Sequence, residues 1–537
     1  MTSAARTFAL LGTAEQRGMP LDELAGHRGE LKAQSRAEGQ TRRELIAAGA
    51  GVAAGAALAT HPALGLAARA RKRPDSPRIA IVGAGLAGLR CAHMLWTQSP
   101  GSPLAASVYE ANAERAGGRC WTLRDYFAGG LITEHGGSFL NANQTAVRAL
   151  AANLGLQEEI VDGGDLPGGE EVFFIDGAIY SAAEANADWE HFGYAAFKKA
   201  AKEASTQAGE ARLDDMSVPD WLESSGIGAS SRFGKLMMAN TVTENGGDPG
   251  EQSALDVIEL LSSNRRTSLQ PLPGDDERYH LIGGNDQLVT GMIEALAPET
   301  VSHDHVLVAI RANADRSTTL TFDVAGSSVD VTADYVVLAL PFSTLRAVDL
   351  SKSGLPADKR RVIRTMGMGT NAKIHLELSH KTWPALGYSG ANYGEWQRLA
   401  CGWDDTVQLG AQASPALYLA FPGGKVGAGG ISGQAHGPAP SGDASWALGE
   451  VENVFPGSTA AFTGRAYEDH WALDPWVGGA YSYYRVGQAS SYGAVAARTE
   501  GRILFAGEHT SIANIGFLDG AVETGERAAR RLLHRLA

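Results

Sequence analysis

Short apolar runs closed by glycine or proline recur along this chain, separated by longer stretches with helical spacing. Ile79-Ala80-Ile81-Val82 is apolar without interruption and stops at Gly83, the pattern of a strand buried on both faces. Leu89 to Leu95 follows with helical character. Alternating segments lie around Val306 to Ile310 and Leu320 to Val324. Tyr335-Val336-Val337-Leu338-Ala339-Leu340 reads as another buried strand, halted by Pro341. Asp256 to Ser262 reads as helix, whereas Ala372 to Leu378 and Ala416 to Phe421 alternate as strands. Alternation places Lys373, His375 and Glu377 on one strand face and Ile374, Leu376 and Leu378 on the other. Taken alone, the first of those faces reads as solvated.

The glycines after the first strand carry the most information. Gly83-Ala84-Gly85-Leu86-Ala87-Gly88 sits between strand and helix, and Glu110 follows the apolar pair Val108-Tyr109 about 20 residues later, the spacing of a dinucleotide-binding βαβ unit. Gly83 permits the tight turn. Gly85 lets the backbone approach a pyrophosphate at a helix N-terminus, where free N–H groups favour negative charge. Gly88 permits close helix–strand packing, and Glu110 is placed to accept hydrogen bonds from a ribose diol.

Composition narrows the classes. The chain has 537 residues, is 44% hydrophobic and carries a formal net charge of −14. It is long enough for more than one domain, and its acidity disfavours a nucleic-acid partner. Its 3 cysteines, Cys91, Cys120 and Cys401, are too scattered for a disulfide framework. No metal site is expected, since His303 and His305 form an isolated pair that reads as exposed loop. Residues 1–75 stand apart from the fold. Arg42-Arg43, a weakly apolar Ala/Gly run and Ala68-Arg69-Ala70 resemble a twin-arginine export signal over 41–70. The expected location is therefore periplasmic or extracellular, or cytoplasmic if the leader is not a signal. Gly, Thr60, His61 and Pro62 dilute the run, so no stable membrane span is expected.

Further motifs carry a family resemblance. Arg115 and Gly117-Gly118-Arg119 follow Glu110-Ala111. Near the other end stand Arg502 to Glu508, Gly516, and Asp519 to Ala529. Together with the glycine turn, these resemble the flavin-containing amine oxidases, a superfamily that includes monoamine, polyamine and L-amino acid oxidases. The resemblance implies FAD, bound by a discontinuous α/β Rossmann-like domain from 76–150, 279–350 and 474–537. An α+β substrate domain would come from 151–278 and 351–473. By resemblance, Gly117 and Gly118 leave room beside the cofactor and Arg119 neutralises phosphate charge. The backbone near Leu307 faces the adenine, and Gly507 and Glu508 meet the ribityl–phosphate region. The helix entered through Leu518 and Asp519 points its N-terminus at the flavin. Asn112 stands where the family usually carries an arginine.

The same resemblance assigns the reacting end. Lys373 matches a lysine that holds a water against flavin N5 in many members, and its burial would depress its pKa. Tyr481 and Phe517 match two aromatics that flank the flavin. Ala480 replaces the cysteine that binds FAD covalently in monoamine oxidases, which implies non-covalent FAD. Phe139 stands about where L-amino acid oxidases carry a carboxylate-binding arginine, although Arg265 or Arg266 could serve instead. The implied reaction is hydride loss from the carbon bearing a neutral amine to flavin N5. Imine hydrolysis gives an aldehyde or ketone plus ammonia or amine, and O2 is reduced to H2O2. The implied partners are a small-molecule amine and O2, and a homodimer is compatible with the sequence. An L-amino acid oxidase, a desaturase acting on carbon–carbon bonds and a ligand-binding flavoprotein without turnover remain open. Glu244 or Asp256 would suit a diamine.

Overall fold

A computed structural model describes residues 77–99, 103–271 and 276–536. The expected export signal at 41–70 lies outside the described residues. Five parallel strands form one sheet in the order Ile503–Phe505, Tyr335–Leu338, Ile79–Val82, Ala106–Tyr109 and Val301–Ser302. The strand nearest the N-terminus thus lies one strand away from the one nearest the C-terminus. Ile79 and Ile81 face the helices Leu86–Thr97 and Leu518–Leu536 through Leu89, Leu95, Val522 and Leu532. Ala80 and Val82 face the opposite way, onto Leu307, Leu320 and Phe322 of a second, mixed sheet. Both faces of the strand are covered, and that is why it carries no polar alternation.

The remaining segments build an eight-stranded sheet. Its order is His436–Pro438, Phe462–Asp469, Lys373–Leu378, Ala416–Phe421, Cys401–Asp404, Tyr388–Tyr393, Glu170–Ile175 and Ala178–Ser181. Its register aligns one row of side chains. His436 pairs with Asp469, Asp469 with Lys373, Phe421 with Cys401, Cys401 with Tyr393, Tyr393 with Phe173, and Phe173 with Tyr180. The Ile374–Ala420 pairing sets Lys373 beside Phe421 and joins the two halves of the row. Directly paired residues share a face, so the row presents one face of the sheet. Helices of the first insertion pack part of that face through Trp189, Phe197, Trp221 and Phe233. Ile374, Leu376, Tyr418 and Ala420 turn the other way, against the helix Ser441–Val454.

One expectation is corrected. The Lys373, His375 and Glu377 face is not solvated, because every residue of Lys373–Leu378 is buried. The helix Ala357–Thr365, beyond the expected boundary at 350, packs through Val362 and Ile363 into the core beside the parallel sheet. Cys91 is fully buried in the helix after the glycine turn.

Gly88 is purely a packing glycine. A Cβ there would lie 2.0 Å from the carbonyl oxygen of Gly83 and 3.2 Å from Ile81. Backbone cannot yield as a side chain can, so Gly88→Ala should destabilise the protein by about 2 kcal/mol or more. The check is a lowered urea midpoint with unchanged slope.

Candidate active site

A single cavity of about 1260 Å³ runs between the parallel sheet and the eight-stranded sheet. Small-molecule pockets usually hold roughly 300–1000 Å³, so this one has room for an extended ligand with a second molecule beside it. At one end lie Gly83, Gly85, Glu110, Gly117, Gly118 and Leu307. Arg119, Gly507, Glu508 and Leu518 line the middle. Lys373, Tyr481, Phe517 and Phe139 line the far part. Of the residues expected to hold the cofactor, shape the pocket or carry the reaction, Gly88 alone lies off the wall.

The glycine end has the form of an anion cradle. The helix Leu86–Thr97 begins at Gly85 with no side-chain cap and no acid in its first turn, so its N-terminal dipole is uncompensated. Gly117 N–H donates to the carbonyl of Ala84 at 2.8 Å, which lays the second glycine pair across the first. A Cβ on Gly85 would meet no protein atom nearer than 4.0 Å, while one on Gly83 would strike the carbonyl of Ala339 at 2.7 Å. Gly83 therefore serves the fold, and Gly85 keeps cavity space open. Glu110 borders that space while its oxygens accept from Ala84 N–H at 2.7 Å and Asn112 N–H at 2.9 Å. These features fit a dinucleotide such as FAD, with its pyrophosphate at the helix end and its ribose towards Glu110.

The cation at this end is Arg115. Its Nη1 donates to Gly118 O at 2.7 Å, its guanidinium lies 4.0 Å from the centre of the Trp121 ring, and it lines the cavity. Arg119, expected to neutralise phosphate, lines the cavity while one of its nitrogens is engaged with protein. Its Nη1 donates to Glu508 at 2.8 Å and to Ala480 O at 2.7 Å. Asn112, in place of the usual arginine, caps a turn by accepting from Glu114 and Arg115 N–H. His303 and His305 are half-buried rather than exposed. His303 contacts Asn112 O, and His305 lines the cavity with its ring 5.3 Å from that of Tyr109.

Glu508 ties the middle together. One oxygen accepts from Arg119, Ser482 N–H and Ser482 Oγ–H, and the other accepts from Gly516 N–H at 2.9 Å. Burial alone would raise its carboxyl, but Arg119 and these donors hold it below the usual carboxylate range. Ser482 and Gly516 directly adjoin Tyr481 and Phe517, so this one carboxylate fixes the backbone beside both rings. The Tyr481 hydroxyl donates to Thr243 O. Phe139 packs against Trp403 with ring centres 5.4 Å apart.

Lys373 is 4% exposed, and its Nζ donates to Glu134 O and Ser138 Oγ, both at 2.7 Å. One of its three N–H donors remains for the cavity. Burial lowers its pKa, and Asp405, Asp469 and Glu134 offset this only in part. Behind it lies a group that sequence reading missed. His135 Nδ1 and His436 Nδ1 each stand 2.7 Å from Asp469 Oδ1, and His375 Nε2 stands 3.3 Å from Asp469 Oδ2. The 2.7 Å separations are hydrogen-bond distances. Burial opposes ionisation of Asp469, but the three imidazoles hold its carboxyl far below the usual range. No local motif announces this group, because His135 and Asp469 are more than 300 residues apart.

The insertion end of the cavity contains Asp165, Glu171, Glu244 and Glu277 among Tyr393, Cys401 and Trp403. Arg265 and Arg266 are exposed and do not line it, and neither does Asp256. Cys120 and Cys401 also border the cavity, and burial pushes both thiols well above their ordinary range.

Comparison with known proteins gives one consistent result. The family model described as flavin containing amine oxidoreductase matches residues 86–533. The chain is similar to amine oxidase [flavin-containing] A of Bos taurus, 24% identical over 85% of each chain. It is also similar to an L-amino-acid oxidase of Pseudechis australis, 24% identical over 87% of this chain and 89% of that one. Cyclohexylamine oxidase from Brevibacterium oxydans IH-35A superposes with a TM-score of 0.71, at 22% identity, over 86% of this chain and 99% of the other.

Removing the charge at the centre should separate the parts. Glu508→Gln leaves Arg119 without its carboxylate in a buried setting, which costs about 3 kcal/mol. The expected result is a lowered melting temperature and a protein purified with much less than one flavin per chain, read from the ratio of visible to ultraviolet absorbance.

Proposed function

The chain belongs to the flavin containing amine oxidoreductase family, and on that premise we propose that it oxidises an amine lacking an α-carboxylate, with O2 as acceptor. The observation that carries this reading is the charge of the insertion end. Among the described residues, Asp165, Glu171, Glu244 and Glu277 line it, Phe139 adds an aromatic wall, and Lys373 is the one Lys or Arg that either insertion contributes to the cavity. A substrate carboxylate placed there would be desolvated against like charges, which is costly. A carbon–carbon desaturase has no need of such a lining.

Bound flavin supplies the acceptor for the electrons and hydrogen removed from the carbon that bears the amine. The protein supplies position. Tyr481 and Phe517, held through Ser482 and Gly516, offer two ring faces between which an amine can be aligned. Burial, together with Glu244, Cys401 and Glu277, pushes the Tyr481 phenol well above its ordinary range, so it stays neutral. No side-chain base is required when the amine is taken up neutral. The imine then hydrolyses to a carbonyl compound and ammonia or a smaller amine, and O2 leaves as H2O2. Lys373, fixed by Glu134 O and Ser138 Oγ, would offer its remaining N–H to negative charge developing during O2 reduction.

FAD is held without a covalent bond in this reading. Ala480 offers no nucleophile, and Cys120 and Cys401 are kept as thiols by burial. Acid precipitation should release all yellow colour into the supernatant; colour retained by the pellet would refute this.

The reading itself is tested by anaerobic flavin bleaching with amines paired with their parent amino acids, tyramine with tyrosine and putrescine with ornithine. Amines should bleach the flavin and the amino acids should not; the reverse would select an L-amino acid oxidase. Lys373→Met should slow reoxidation by O2 about 100-fold and affect anaerobic reduction less, as read by stopped-flow absorbance.

A further inference from the structure

The insertion end of the cavity is more than acidic; it contains a carboxylate with nothing to balance it. Glu171 lies on the strand Glu170–Ile175, two residues before Phe173 and so on the same face. Phe173 registers with Tyr393, and Tyr393 with Cys401, along the row that leads back to Lys373. Glu171 therefore faces the same cavity as Lys373, several strands away. No hydrogen bond or ion pair engages its carboxylate among the described residues, and protein surrounds it except where it borders the cavity. Burial and the like charge of Asp165 raise its pKa to about 8.

The other acids reach the same place from different elements. Asp165 precedes the strand, Glu244 lies in the last turn of the helix Arg232–Asn245, and Glu277 precedes the strand Tyr279–Leu281. The ionisation of their neighbours shows how closely they gather. After burial itself, Cys401 is held protonated chiefly by Glu277 and Glu171, and Tyr393 by Cys401, Glu171 and Glu277. The row from Cys401 to Tyr393 thus runs through a field of negative charge. An enclosed carboxylate without a partner is costly, and either a proton or a cation relieves that cost. The cavity is continuous from this group to Tyr481 and Phe517, so a cation here can belong to a molecule whose other end lies at the cage.

Resting on the amine-oxidase reading above, we propose that the substrate is a diamine or polyamine whose distal ammonium is held by Glu171, within the carboxylate group of Asp165, Glu244 and Glu277, while its other amine lies between Tyr481 and Phe517. Glu171 is then the specificity-determining residue. The aromatic and aliphatic wall of Phe139, Trp403 and Leu269 contacts the methylene chain between the two nitrogens.

The test uses the full holoenzyme and anaerobic stopped-flow bleaching, with putrescine, cadaverine and spermidine set against butylamine and pentylamine. The expected result is a rate of reduction per unit concentration at least about tenfold higher for the best diamine or polyamine than for the better monoamine. Glu171→Gln should reduce that ratio about tenfold, the worth of a hydrogen bond to a charged group. A monoamine equal to or better than every diamine, or a ratio that survives Glu171→Gln, would overturn the proposal while leaving the amine-oxidase reading intact. Bleaching by no amine would overturn that reading and this proposal with it. The native-protein comparison decides the matter even if the variant fails to fold.

Discussion

The buried pairing of Glu508 with Arg119 is the constraint on which the site depends. It joins a segment near residue 119 to segments near 482 and 516, all distant in sequence. Ion pairs in the interior add little net stability, because desolvation cancels most of the attraction. Here the carboxylate also accepts from Ser482 N–H, Ser482 Oγ–H and Gly516 N–H, which satisfies its remaining lone pairs. The result is a fixed spacing between backbones more than a source of stability. Arg119 adds a bond to Ala480 O, so the residue before Tyr481 is held as firmly as the one after it.

A similar logic governs the strand that carries Lys373. Its polar face is buried, which would be untenable for isolated charges. Asp469 resolves this by standing between His135, His375 and His436, and Asp474 accepts from the far nitrogen of His436 at 3.0 Å. Glu134 has a counterpart role, since its side chain meets His280 Nε2 at 2.9 Å while its carbonyl receives Lys373. Burial works against His280 as a cation, but Glu134 and Glu159 prevail and its pKa is raised to about 9. The lysine is therefore held among buried, mutually compensating charges, and its remaining N–H is the one free to face the cavity.

What was legible in the sequence was local or repeated a known spacing. The glycine turn, its strand and Glu110 could be read because each glycine answers to one backbone requirement. The strands Lys373–Leu378 and Ala416–Phe421 could be read from alternation, and their limits match the expected segments to within a residue. What failed depended on distant partners. The face of Lys373, His375 and Glu377 looked solvated because its neighbours, His436, Asp469 and His135, lie far along the chain. The partner of Arg119 Nη1, Glu508, is 389 residues away and so left no local sign, and the contact of Arg115 with Trp121 likewise had no sequence signature. Glu171 carried no signal at all, since one glutamate near the start of a strand is ordinary until the sheet is assembled.

The assembled sheet gives the cavity a polarity that no single residue has. Lys373 and Glu171 line the cavity from well-separated strands of the sheet, while Glu244 and Glu277 lie near enough to Tyr481 to raise its phenol. A positive group near the cage disfavours a second ammonium there and so favours the neutral amine that oxidation requires. In the proposed reading, the carboxylates around Glu171 do the opposite and keep a nitrogen protonated. A molecule with two amines thus meets opposite demands at its two ends, and the field that holds one as a cation leaves the other free to react. A monoamine satisfies only one of these demands, and an amino acid would carry a negative group into a region already negative. On that proposal, selectivity comes from charges that several elements bring to one cavity beside the sheet.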